Sequence, residues 1–262
     1  MTFPGSPPPS PVVTVIQHSP DVPLDRFVDW LADGDGSRLD VAVVRAWAGE
    51  SVPTEPSDAL IVLGGHMHAH ADDVAPWLPA TRALLAAAVA ADVPTLGICL
   101  GAQLLAAATG GRVQVAAPPG REAGIVDVRW RPDAAGDPVL AALAASGRSA
   151  PLPSMHADAI VDLPRGAVWL GSSAMYPYQA FRLGRAWGVQ FHPEAGAATF
   201  RGWAQAYDDV DAAAVMALYE AREPEIAAAG RAIAAGFAAV VHRTADERAA
   251  QSVTRSSASM IV

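Results

Sequence analysis

The stretch that most constrains this chain is residues 93–111, VPTLGICLGAQLLAAATGG. A short apolar run at 95–98 reads as a buried strand. Cys99 follows with glycines two residues to either side, and a helical pattern of Leu104, Leu105 and Ala108 ends at Gly110 and Gly111. Strand, tight turn and helix in that order describe a nucleophile elbow, in which Gly97 and Gly101 permit a cramped backbone and one side chain is lifted out at the top of a sheet. Free N–H groups in the helix's first turn favour negative charge beside them, so a thiol there ionises more readily than a free one. A cysteine behind an apolar strand is more commonly a small buried hydrophobe, but a core cysteine needs no glycine on both sides.

A second stretch, WGVQFHPE at 187–194, reads as a strand that delivers His192 and Glu194 at its end, two residues apart and so pointing the same way. Cysteine, histidine and carboxylate are the parts of a nucleophilic triad, in which the base activates the thiol and the acid orients the base. A lone strand-end histidine is otherwise satisfied by backbone, and a lone glutamate there is solvated; their proximity to each other is what raises both.

GICLGAQ around Cys99 and GVQFHPE around His192 resemble the two signature motifs of the class I glutamine amidotransferases, and Leu63-Gly64-Gly65 resembles the glycine turn that supplies their oxyanion hole. The resemblance runs from about residue 12 to Glu194 and is greatest to the free-standing proteins related to the amidotransferase half of GMP synthase. It implies Cys99 as nucleophile, His192 as base and Glu194 as its orienter. It also implies an oxyanion hole from the backbone N–H of Leu100 and of Gly64 or Gly65. Gln103 and the segment 155–158, with His156 and Asp158, are implied to contact the amino-acid head of the substrate. The substrate class is then glutamine or a γ-glutamyl amide, no cofactor is called for, and ammonia passes to a synthetase. The 68 residues after Glu194 hold no Gly-rich phosphate loop, so that synthetase is expected as a separate protein. A self-sufficient γ-glutamyl amide hydrolase is the alternative.

Further apolar runs at 12–17, 41–44 and 59–63 read as strands, with helices at 24–32 and 78–91 between them. Such alternation predicts an α/β fold with a doubly wound, mixed but mainly parallel sheet, flavodoxin-like in the manner of the class I amidotransferases, and a site at the carboxyl ends of its strands. From Gly111 onward, short β-like runs at 112–115, 124–130, 167–170, 179–183 and 187–191 suggest antiparallel hairpins, and Asp137-Pro138 suggests the start of a short helix. Residues 1–11 read as a flexible leader, 12–195 as the amidotransferase domain and 196–243 as an Ala-rich helical extension. That extension divides into helices at 198–207, 210–220 and 224–242, followed by a polar, frayed tail at 244–262.

A formal charge of −9 with 18 basic residues and no basic run argues against nucleic acid. No apolar stretch reads as a membrane span, and a single cysteine in 262 residues suits a reducing compartment, the cytoplasm. One stretch stands outside the resemblance. His66-Met67-His68-Ala69-His70-Ala71-Asp72-Asp73 puts histidines at every second position, where an extended segment would gather His66, His68 and His70 on one face as metal ligands. A metal-dependent hydrolase is therefore a second alternative, against a solvated loop. A non-catalytic module that keeps the fold is a third, opposed by the complete Cys99, His192 and Glu194 set.

Overall fold

A computed structural model describes residues 10–32 and 38–259, the stretch 253–259 by its backbone alone. The expected leader lies almost entirely outside the described residues. The elements in chain order are β1 (Val12–Gln17), α1 (Phe27–Ala32), β2 (Asp40–Arg45), β3 (Ala59–Val62), α2 (Leu78–Ala90), β4 (Thr95–Ile98), α3 (Leu100–Ala108), β5 (Arg112–Gln114), β6 (Glu122–Trp130), α4 (Ala141–Ser146), β7 (Ser149–His156), β8 (Ala159–Asp162), β9 (Val168–Ser172), β10 (Ala180–Leu183), β11 (Ala186–Val189), α5 (Ala197–Gln205) and α6 (Ala212–Ser259).

Among the described residues nine strands form one mixed sheet in the order β2-β1-β3-β4-β11-β10-β9-β6-β7, while β5 and β8 pair separately. From β2 to β11 the pairings are parallel; from β11 to β7 they are antiparallel. Within the parallel half, β1, β3, β4 and β11 are covered on both faces, which is why they read as unbroken apolar runs, while the edge strand β2 is largely exposed. In β3 the side chains divide by period two: Ala59 and Ile61 join Phe27, Leu31, Ile233 and Phe237 on one face, Leu60 and Val62 join Leu84, Leu85, Leu104 and Leu105 on the other.

Three elements differ from what the sequence leads one to expect; one is the short strand β8, which pairs with β5 outside the main sheet and is not anticipated. β7 is not anticipated, because Pro151 and Pro153 argue against a strand. It is the last strand of the sheet, where a missing N–H breaks no second ladder. The C-terminal helices expected at 210–220 and 224–242, with fraying from 244, form one helix instead, running through Pro224 to Ser259. Proline removes one N–H from the ladder. The buried stripe nevertheless continues on both sides of it, through Met216, Tyr219, Ile226, Ile233, Phe237, Val241 and Thr244, so packing sustains the helix. Within Ala212–Ser252 one 18-residue window is long and apolar enough to cross a membrane, contrary to the expectation that no stretch is, but half of that window is buried in the fold.

Candidate active site

Cys99 follows directly from β4, which lies between β3 and β11, and its N–H continues the ladder to the Val189 carbonyl at 2.8 Å. Its backbone has φ +51° and ψ −107°, a conformation that side chains rarely adopt. The flanking glycines exist for close approach: a Cβ on Gly97 would stand 2.5 Å from the Gly101 carbonyl oxygen, and one on Gly101 would overlap the carbonyl oxygen of Val62. Removing either hydrogen-only position would push α3 off the sheet and with it the thiol.

β11 ends at Val189, so His192 and Glu194 sit on the turn after it rather than on the strand itself. The His192 carbonyl accepts from Ala195 N–H at 3.3 Å, and the His192 N–H donates to the Pro153 carbonyl of β7 at 2.7 Å. Within this turn Nδ1 of His192 meets Oε1 of Glu194 at 2.8 Å. The ring rests on Trp203, with centroids 4.5 Å apart. Glu194 is 0% exposed and His192 3%, so the glutamate is not the solvated side chain that its type suggests. Among the described residues the other carboxylate oxygen of Glu194 has no hydrogen-bond partner, which leaves His192 as the principal compensation for its charge.

Burial alone would depress the His192 pKa. The negative charges of Glu194 and of a Cys99 thiolate, with hydrogen bonds to both side chains, outweigh burial and raise it to about 10. The His192 ring therefore lies between the Glu194 carboxylate and the Cys99 side chain.

The glycine turn after β3 closes on this pair. A Cβ on Gly64 would stand 2.9 Å from Cε1 of His192 and 3.5 Å from Cβ of Cys99, so a side chain there would occupy the reacting space. Gly65 packs against Leu100 and His18. His18 is buried and accepts from the indole N–H of Trp77 at 2.9 Å, and desolvation lowers its pKa to about 4.

Beside Cys99 lies a cavity of about 150 Å³ whose walls include Gly65, Leu100, Gln103, His156 and Asp158, all singled out from the sequence, with Arg121 and Tyr207, which were not. A smaller recess of about 20 Å³ lies between Cys99, His192, Val22 and Trp203. Gln103 is 3% exposed, neither a surface glutamine nor wholly free for a ligand. Its Nε2 donates to the Asp158 carbonyl at 3.0 Å and to Oε1 of Gln190 at 3.2 Å. The Arg121 guanidinium stacks on the Tyr207 ring at 3.8 Å, and its Nε donates to Asp209. No local pattern marks Arg121 or Tyr207, since they meet only through the fold.

The three histidines of the 66–73 stretch do not act together. His66 turns to Asp21, with Nε2 to Oδ2 at 2.7 Å, while His68 accepts the backbone N–H of His70 at 3.2 Å and Asp72 pairs with Arg82. Among the described residues no group of three or more His, Cys, Asp or Glu side chains is arranged to hold a metal ion. A turn-rich loop does not keep the alternation that an extended strand would impose, so His66, His68 and His70 are not gathered on one face.

The family model for "Glutamine amidotransferase class-I" matches residues 33–202. Among curated proteins, a component of the glutamine-hydrolysing GMP synthase of Natronomonas pharaonis is 37% identical over 105 residues, 39% of this chain and 53% of that protein. The glutamine-hydrolysing GMP synthase of Brucella melitensis is 32% identical over 136 residues, 51% of this chain and 25% of that protein. The chain thus spans about half, or less, of the curated relatives it matches. Among solved structures, a glutamine amidotransferase from Thermotoga maritima superposes with a TM-score of 0.75 at 27% identity, covering 87% of this chain and 97% of that one. One from Methylobacillus flagellatus gives 0.73 at 28%, covering 87% and 94%.

Proposed function

The chain belongs to the class I glutamine amidotransferase family, and from that premise we propose that it hydrolyses the side-chain amide of glutamine through Cys99, His192 and Glu194. The observation that carries this reading is the buried Glu194–His192 pair at 2.8 Å set against a cysteine at an elbow with φ +51°. A carboxamide is a poor electrophile, so it needs an ionised nucleophile, donors for the developing oxyanion and an acid for the departing nitrogen. The Cys99 thiolate attacks the amide carbon, and negative charge moves onto the oxygen, which the N–H of Leu100 and of Gly64 or Gly65 receives. His192 gives its proton to the leaving nitrogen, ammonia departs and a thioester remains. Water, deprotonated by the now neutral His192, attacks the thioester; glutamate leaves and the thiolate–imidazolium pair returns.

The two cavities divide the substrate between them. The larger one supports a place for the amino-acid head beside Gln103, His156 and Asp158. The recess against His192, about 20 Å³, is little more than the roughly 10–15 Å³ that a single water requires. It lies against the imidazole that would protonate the departing nitrogen, which supports a place for ammonia there. A separate synthetase in the same reducing compartment, the cytoplasm, would receive the ammonia; the relative that is itself one component of a GMP synthase supports such a partnership.

The test is an assay of the isolated protein on glutamine and on a panel of γ-glutamyl amines, with and without cell extract. Glutaminase activity raised by extract is the expected result. Strong turnover of a substituted amide by the isolated protein would favour the hydrolase, and no cleavage of any γ-glutamyl compound would overturn the substrate class.

A further inference from the structure

Gln190 lies in the same stretch as His192, yet the proposed reaction gives it no task. It is 1% exposed, and its Nε2 stands 3.6 Å from Sγ of Cys99, a hydrogen-bond distance for the larger sulfur atom. An amide carries a donor and an acceptor of nearly the same shape, so its partners fix its orientation. Here the partners decide it. The Asp158 carbonyl can only accept, so Gln103 must turn its NH₂ group toward it, at 3.0 Å. The second hydrogen of that NH₂ then points at Gln190, 3.2 Å away, which must answer with its oxygen. With its oxygen so engaged, Gln190 has only its NH₂ group to offer the sulfur.

The chain of bonds continues beyond Asp158. Its carbonyl also meets Nδ1 of His156 at 2.9 Å. Nε2 of His156 lies 3.2 Å from Glu122. Glu122 is 2% exposed and receives Gln179 Nε2 at 2.6 Å, Ser173 Oγ at 2.5 Å and Ser154 Oγ at 3.3 Å. A second rail runs alongside: the backbone of Gln179 accepts the N–H of Gln190 at 2.9 Å. Buried polar groups joined in this way rigidify one another, because a flipped amide would leave two donors facing each other.

We propose that Gln190 is a catalytic hydrogen-bond donor to the Cys99 sulfur, held in that orientation by Gln103, the Asp158 carbonyl, His156 and Glu122. A donor facing a thiolate stabilises the anion and not the thiol. On the acid side of the thiol's titration the resulting gain in thiolate fraction exceeds the loss in intrinsic nucleophilicity, which changes only about 0.4–0.5 as steeply with pKa. The same N–H assists a second time, when the sulfur leaves the thioester as an anion. The proposal rests on Cys99 being the nucleophile, but not on which amide it attacks.

Alkylation of Cys99 by iodoacetamide as a function of pH tests it without substrate. Other titratable or charged groups facing the sulfur or its cavity are the His192–Glu194 pair, His66, Arg121, His156, Asp158 and Tyr207, and Gln190→Leu leaves all of them in place. In that variant the acid limb is expected to move up by about one pH unit, so that alkylation on the limb slows about three- to fourfold while the alkaline plateau rises about threefold, the more basic thiolate being the better nucleophile. Gln103→Leu, which frees the Gln190 amide to turn, should give a smaller shift in the same direction. A merely structural role would alter the melting temperature and leave the limb where it was. Superimposable profiles in folded Gln190→Leu overturn the proposal; if that variant does not fold, superimposable profiles in Gln103→Leu do so. A shifted limb in a protein that cleaves no glutamine would sink the substrate reading and leave this one standing.

Discussion

At the carboxyl ends of β3, β4 and β11 the reactive parts are held by backbone: a glycine turn, a strained cysteine and a tight turn carrying histidine and glutamate. Across the sheet, β6 and β7 contribute no part of the triad but supply buried polar side chains, Glu122, Ser154 and His156, which reach the thiol sideways through Gln103 and Gln190. They also supply the Pro153 carbonyl that anchors His192. The parallel half sets where the atoms are, because strand ends and helix starts are rigid. The antiparallel half sets which way hydrogen bonds point. The first should be unforgiving in chemistry, the second in stability.

Cys99→Ala provides the largest test. We expect turnover to fall by about 10⁴-fold or more with the melting temperature nearly unchanged, since the nucleophile is lost and the backbone is not. Labelling by a glutamine-like electrophile should disappear with it. Retained turnover would remove the parallel half's claim to the chemistry.

Glu122→Leu is the counterpart in the antiparallel half. Deleting a buried carboxylate that serves His156, Gln179 and two serines leaves their donors unpaired and should cost about 1–3 kcal/mol of stability or more, read by denaturant unfolding. A loss of activity at unchanged stability would show that the two halves do not divide chemistry from stability.

The pH dependence of stability separates two buried histidines. His18 is depressed to about 4, so its contribution is present above the unfolded value of about 6.5 and is lost as pH falls through 4, on the order of 3 kcal/mol. His192 is raised to about 10, so its contribution is complete below about 6.5 and is lost as pH rises through 10. Unfolding curves should therefore show a stability maximum near pH 6.5 from these two groups. His18→Gln should flatten the acid side, and His192→Asn the alkaline side.

The smallest effect is expected from changing His66, His68 and His70 together to Ala. Exposed pairs such as His66–Asp21 contribute about 0–1 kcal/mol, and activity should survive chelators unchanged. Stoichiometric zinc whose removal abolishes activity would restore the metal reading.

The elbow was legible because glycine spacing and an apolar strand are local demands of the backbone, and the HPE triplet because its two side chains meet within one turn. Other features were legible only in part. Pro151 and Pro153 conceal β7, since proline reports a missing N–H and cannot report that the strand lies at an edge. Pro224 suggests a break in α6 that the packing of Tyr219, Ile226 and Ile233 overrides. The histidine triplet suggests convergence that a turn-rich loop does not provide.

The sequence by itself determined the elbow at Cys99, the His192–Glu194 turn and the α/β order of the chain, because each follows from residues within a few positions of one another. Only the tertiary structure decided that Gln103 and Gln190, 87 positions apart, share one hydrogen bond and aim an amide at Cys99. It also decided that Glu122 lies beneath them and that Arg121 meets Tyr207 at the cavity wall. Strand order brings these groups together. A chain read along its length carries periodicity and punctuation, but the identity of a buried polar group's partner belongs to the sheet that assembles them.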